Sequence, residues 1–89
     1  MKEIYCKIYG NVQGVFFREY AKKRAGELGV TGYVKNLDDG TVELVAQGED
    51  ADLRTYLGYV SVGPEDGEVE SINVQWGPLD VRESGFSLL

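Results

Sequence analysis

The residues best suited to chemistry lie around two glycines near the start of the chain. The segment from Ile8 to Arg18 reads IYGNVQGVFFR and passes from a strand-like pattern through Gly10 and Gly14 into a helix-like one. A turn of this kind can aim several backbone N–H groups at one point, and the helix N-terminus adds unpaired donors and a positive dipole end. Arg18 would stand on the first helical turn, where its planar guanidinium can bind two oxygens of a phosphate. The segment predicts an anion site, although an ordinary strand-to-helix connection with a solvated arginine explains the same pattern.

A second segment carries an asparagine next to a turn. It runs from Gly32 to Gly48 and places Asn36 shortly before the dipeptide Asp39-Gly40. Aspartate followed by glycine is typical of hairpin turns, because glycine tolerates the positive φ that such turns require. An asparagine in this position commonly caps the turn, and the pattern alone favours that structural role.

The chemistry open to this chain is limited by what it lacks. It has no histidine and a single cysteine, Cys6, so structural zinc, haem, an internal disulfide and histidine-based acid-base catalysis are excluded. Cys6 alternates with apolar residues, which predicts a small core residue rather than a nucleophile. The pairs Asp38-Asp39 and Asp50-Asp52 do not have the spacing of a calcium loop, so turns and helix caps explain them better. The Gly-x4-Gly-Lys-Ser/Thr pattern is also missing, so nucleotide hydrolysis is unsupported.

Charge is distributed unevenly along the 89 residues. The formal net charge is -6, yet seven of the nine basic side chains lie in the first 37 residues. This distribution favours a local anion site over a nucleic-acid surface, with Lys22, Lys23 and Arg24 forming a solvated helix face. The chain opens without the apolar run of a signal peptide and has no stretch of about 18 apolar residues, so we expect a cytoplasmic protein without membrane contact.

The elements that must position these residues follow from hydrophobic periodicity. Alternation predicts strands and i, i+4 spacing predicts helices, in the order strand 3–9, helix 17–28, strand 30–36, strand 41–47, a helix capped by Asp50 that ends at Gly63-Pro64, strand 69–76 and a possible edge strand 86–89. This order predicts an α+β fold, a ferredoxin-like βαββαβ sandwich in which an antiparallel sheet carries two helices on one face. The length suits a single domain over residues 1–89.

Three tyrosines raise one alternative. Tyr5, Tyr9 and Tyr33 are expected on the face of the sheet that carries no helix, and RNA-binding domains of the same topology stack bases on such aromatics. The RNP1 pattern is absent, however, and the net charge opposes binding of a phosphodiester backbone. No nucleic-acid partner is therefore expected.

Taken together, the two glycine-containing segments resemble the acylphosphatase family. The first family signature, an aliphatic residue and any residue followed by Gly-x-Val-Gln-Gly-Val-x-Phe-Arg, is met from Ile8 to Arg18. The second, Gly-aromatic-Val-basic-Asn-x3-Gly-x-Val-x5-Gly, is met from Gly32 to Gly48. Asn11 departs from the basic residue or serine expected at its position. Chain length and element order also fit, so the resemblance covers essentially the whole chain.

The resemblance implies hydrolysis of an acyl phosphate to a carboxylate and inorganic phosphate, without a metal or cofactor. It implies that Arg18 binds the phosphate and that Asn36 orients the attacking water. The other phosphate ligands would be the backbone amides of Gln13, Gly14, Val15, Phe16, Phe17 and Arg18. We expect a monomer that acts on a small-molecule acyl phosphate, with inorganic phosphate or sulfate as a competing anion. A non-catalytic ferredoxin-like anion-binding or regulatory domain is the alternative, and the presence of both Arg18 and Asn36 favours catalysis.

Overall fold

The computed structural model describes residues 1–79 and 81–89, which form two helices packed on one sheet. The elements are β1 (Lys2–Asn11), α1 (Phe17–Leu28), β2 (Thr31–Asn36), β3 (Val42–Gly48), α2 (Asp50–Val62), β4 (Glu68–Pro78) and β5 (Phe86–Leu88). The strands lie in the order β4-β1-β3-β2-β5. β1 pairs antiparallel with β3 and with β4, and β2 pairs antiparallel with β3. The predicted ferredoxin-like α+β sandwich is confirmed.

The short last strand makes the sheet mixed rather than wholly antiparallel. β5 pairs parallel to β2, in a register that places Tyr33 beside Ser87. β5 runs parallel to β2 because of the path of the chain. The last residues of β4 and the first residues of β2 lie at the same side of the sheet, and β5 starts from that side as well. The buried side chain of Gln47 holds the segment between β4 and β5. Its Nε2 donates to the carbonyl of Val81, and its Oε1 accepts from the amide of Glu83 at 2.7 Å.

The core lies between the helices and one face of the sheet. The predicted alternation in β1 is confirmed, since Ile4, Cys6 and Ile8 are fully buried. Burial raises the pKa of the Cys6 thiol to about 12, which suits a packing role rather than a nucleophilic one. The buried side chains of the two helices are Phe17, Ala21, Ala25, Leu53, Tyr56 and Val60.

Two details of the helices differ from the sequence prediction. The N-cap of α2 is Glu49, and Asp50 is the first helical residue, because the Asp50 carboxylate pairs with Lys2 at 2.9 Å and with Arg54 instead of capping the helix. Arg24 is not simply solvated, since its guanidinium lies 4.3 Å from the centre of the Tyr59 ring and donates to Glu27. No helix in the described part of the chain is long and apolar enough to cross a membrane.

Candidate active site

The loop between β1 and α1 is shaped by a close approach of two strands. The register of β1 against β4 shifts between Tyr9 and Gly10, and Gly10 has φ +131°. A Cβ at Gly10 would lie 2.1 Å from the carbonyl oxygen of Glu68, so a larger residue could not occupy this position. The chain then leaves the sheet and is anchored in the core at both ends of the loop, by Val12 and Phe17.

The backbone donors of this loop are unpaired. Helix α1 begins at Phe17, and its first hydrogen bond runs from the amide of Tyr20 to the carbonyl of Phe16 at 3.0 Å. Within residues 1–79 and 81–89, no amide from Gln13 to Arg18 donates to a backbone carbonyl. Unpaired N–H groups at the positive end of a helix dipole are the arrangement that binds tetrahedral anions.

The Arg18 side chain is held from the far edge of the sheet. Its Nη1 donates to the main-chain oxygen of Leu89 at 2.8 Å, and the amide of Leu89 donates to the carbonyl of Val34 at 2.9 Å. The half-buried guanidinium is therefore fixed by one of its two amino groups, which leaves the rest of its planar donor set for another partner. No sequence signal pointed to Leu89, because the contact spans 71 residues.

Asn36 ends β2 and does not cap the hairpin that follows. The turn is closed by the amide of Leu37, which donates to the carbonyl of Thr41 at 2.9 Å. Its side-chain cap is Asp39, which accepts from the Thr41 hydroxyl and, at 3.0 Å, from the Thr41 amide. These bonds lower the pKa of the Asp39 carboxyl to about 2. The turn-capping role expected from the pattern thus belongs to Asp39, and the Asn36 amide lies exposed.

The side chain of Gln13 joins the loop to this hairpin. Its Nε2 donates to the carbonyl of Leu37 at 2.7 Å and to the carbonyl of Thr41 at 2.8 Å. β1 and β2 are not neighbours in the sheet, since β3 lies between them. Gln13 therefore links the loop directly to the residue that follows Asn36, a role that the sequence analysis missed when it considered only the amide of Gln13.

A cavity of about 210 Å³ gathers most of the predicted site residues. Its lining consists of Val12, Gly14, Phe16, Phe17, Arg18, Glu19 and Asn36. Four of the six loop residues singled out from the sequence are thus brought together with Asn36. Gln13 and Val15 lie outside this lining, and Glu19 is a lining residue that the sequence analysis did not single out.

Removing the link made by Gln13 should destabilise the fold. We expect Gln13→Met to lower the free energy of unfolding by about 1 to 3 kcal/mol, because two carbonyl oxygens lose a shared donor while the backbone and the side-chain volume are kept. Urea unfolding measures this difference. Gln75→Met, the same substitution at an exposed site on β4, is the matched control and should stay within about 0.5 kcal/mol of the parent. Equal effects of the two substitutions would show that the link adds no stability.

Two of the tyrosines considered for RNA binding make hydrogen bonds within the sheet. Tyr5 and Tyr33 do share the helix-free face, where both hydroxyls donate to the Glu43 carboxylate, at 2.8 and 3.0 Å. Burial, followed by this hydrogen bond, raises the pKa of Tyr33 to about 12. A carboxylate between the two rings disfavours a nucleic-acid backbone on this face.

Across the described residues there is no group of three or more Cys, Asp or Glu side chains placed to hold a metal ion.

The fold and the cavity together define a ferredoxin-like α+β sandwich with unpaired amides and an arginine at the N-terminus of its first helix. The acylphosphatase family model matches residues 4–88. The acylphosphatase of Thermus thermophilus is 44% identical over 77 residues, which cover 86% of this chain and 88% of that protein. The crystal structure of acylphosphatase from Bacillus subtilis matches with a TM-score of 0.97 and 31% identity, over 100% of this chain and 99% of that one. The structure of an acylphosphatase from Coxiella burnetii matches with a TM-score of 0.84 and 42% identity, over 98% of this chain and 90% of that one.

The chain belongs to the acylphosphatase family. The resemblance carried by the two glycine-containing segments is confirmed, and family membership supports an enzyme that hydrolyses acyl phosphates.

Proposed function

We propose that residues 1–89 act as one domain that hydrolyses the carboxyl-phosphate bond of acyl phosphates, with Arg18 and Asn36 as its catalytic residues. The observation that carries this proposal is the meeting of two elements at one cavity. Arg18 comes from α1 and Asn36 from the end of β2, and both line the cavity beside the loop of unpaired amides. Family membership supports the reaction, and this geometry supports the role of each residue.

The phosphate is bound at the N-terminus of α1. The amides from Gln13 to Arg18 donate to its non-bridging oxygens, and the dipole of α1 adds a positive potential. Arg18 completes the set with the donors that are not used on Leu89. In phosphoryl transfer through a loose transition state, such fixed donors stabilise the charge on the equatorial oxygens and need no rearrangement during the reaction.

Asn36 orients the attacking water. Its exposed side-chain amide has both a donor and an acceptor to offer, and an amide cannot act as a base near neutral pH. The water oxygen forms a bond to phosphorus, the bond from phosphorus to the acyl oxygen breaks, and the water proton passes to a phosphate oxygen. The leaving carboxylate is stable without protonation, so no general acid is required. This accounts for a site built without histidine.

Turnover in the presence of a chelator tests the reaction. We expect the purified chain to hydrolyse benzoyl phosphate at the same rate with and without EDTA, because positioning and fixed donors supply the catalysis. Inorganic phosphate and sulfate should inhibit competitively, since both are tetrahedral anions that fit the loop. Loss of activity in EDTA that a divalent ion restores would contradict the mechanism. Competitive phosphate binding without turnover would instead identify a non-catalytic anion-binding domain.

A further inference from the structure

Phe16 holds a backbone conformation that its side chain disfavours. Its φ and ψ are 61° and 29°, in the left-handed region, and it is the one non-glycine with positive φ in the described residues. A bulky residue in this region is strained, whereas glycine adopts it freely. The loop geometry alone would therefore be satisfied better by glycine. A phenylalanine at such a strained position points to a use for its ring.

The ring of Phe16 does not contribute to the hydrophobic core. Phe16 is 73% exposed, whereas the next residue, Phe17, is 1% exposed and belongs to the core. Phe16 nevertheless lines the same cavity as Arg18 and Asn36. The other apolar side chains of the lining, Val12 and Phe17, are buried, so Phe16 alone among the lining residues offers exposed apolar surface.

We infer that the Phe16 ring is the surface against which the acyl group of the substrate packs, so that Phe16 selects acyl phosphates with flat, apolar acyl groups. This inference rests on the proposed function. When the amides and Arg18 hold the phosphate, the acyl carbon lies one oxygen atom away from phosphorus and must lie at the rim of the same cavity. An aromatic acyl group can stack on an exposed ring there, whereas an acetyl group is too small to cover it.

Glu19 adds a second element of selection at this rim. It is exposed, lines the cavity next to Arg18, and carries a negative charge at neutral pH. An acyl group that bears its own carboxylate would be brought close to this charge and repelled. The rim therefore favours uncharged acyl groups over negatively charged ones.

The test compares two substrates on the same variants. For Phe16→Ala we expect the ratio of kcat/KM for benzoyl phosphate to kcat/KM for acetyl phosphate to fall about tenfold, as the loss of one aromatic contact implies. Phe16→Tyr keeps the ring and should keep the ratio. Glu19→Gln should raise kcat/KM for succinyl phosphate relative to benzoyl phosphate, since it removes the repulsion without changing side-chain size.

Phe16→Gly separates the effect of the ring on substrate preference from its effect on the stability of the loop. It should lower the same substrate ratio and yet raise Tm by a few degrees, because glycine relieves the left-handed strain. A ratio that is unchanged in Phe16→Ala and Phe16→Gly would overturn the inference, and so would an equal loss on both substrates, which would indicate a distorted loop. If the parent enzyme hydrolysed none of the three substrates, the proposed function would be overturned instead.

Discussion

Arg18→Lys is expected to lose about 10²- to 10³-fold in kcat/KM for benzoyl phosphate, although it keeps the positive charge. Arg18 donates through Nη1 to the main-chain oxygen of Leu89 and has its remaining donors to offer to the phosphate. A lysine ammonium has three N–H donors that diverge tetrahedrally from one nitrogen, so it cannot hold Leu89 and bind two phosphate oxygens in a plane at once. Steady-state kinetics, with the inhibition constant of inorganic phosphate measured in parallel, should show that both substrate turnover and phosphate affinity fall.

Arg54→Lys is the matched control for this substitution. Arg54 lies exposed on α2, where it pairs with Asp50 and packs over Trp76, and it has no contact with the cavity. Its replacement should leave kcat/KM within about twofold of the parent, since substitutions at exposed positions away from a site change free energies by little. Near-normal kcat/KM in Arg18→Lys would reduce Arg18 to a general electrostatic role and refute the planar two-donor contact.

Asn36→Ala should lower kcat by about 10²-fold or more while inorganic phosphate binds almost as before. The loss corresponds to roughly 3 kcal/mol of transition-state positioning, and it is confined to kcat because the amide holds the water and not the phosphate. Measuring kcat and the phosphate inhibition constant on the same preparation separates Asn36→Ala from Arg18→Ala, which should lose both.

Thermal unfolding distinguishes this role from a purely structural one. The cap of the hairpin is Asp39, so Asn36→Ala should leave Tm nearly unchanged, whereas Asp39→Ala should lower Tm measurably. Unchanged kcat in Asn36→Ala would remove the asparagine from the mechanism. A fall in Tm for Asn36→Ala as large as that for Asp39→Ala would show that Asn36 has a structural role.

Most elements of the fold could be predicted because their signals are local. The alternation of Ile4, Cys6 and Ile8 reports which side of β1 is buried, and Gly29 in the left-handed region ends α1 where the apolar periodicity stops. The N-cap of α2 was predicted one residue too late, because the ion pairs of Asp50 with Lys2 and Arg54 compete with capping. Lys2 lies 48 residues away in the chain, so local pattern could not anticipate that competition.

The sequence by itself determined the two halves of the candidate site. The spacing of the glycines around Gln13 predicted the loop and placed Arg18 on the first turn of α1, and Asn36 was predicted at the end of its strand. Such predictions succeed because backbone turns and helix starts depend on residues a few positions apart.

How the two halves meet was decided only by the tertiary structure. The Nη1 contact of Arg18 with Leu89, the Gln13 link to the hairpin and the direction of β5 all join parts of the chain that lie far apart in sequence. They depend on the order of strands in the sheet and on the end from which the last strand enters. Neither hydrophobic periodicity nor motif spacing encodes that order, because each reports only on neighbours along the chain.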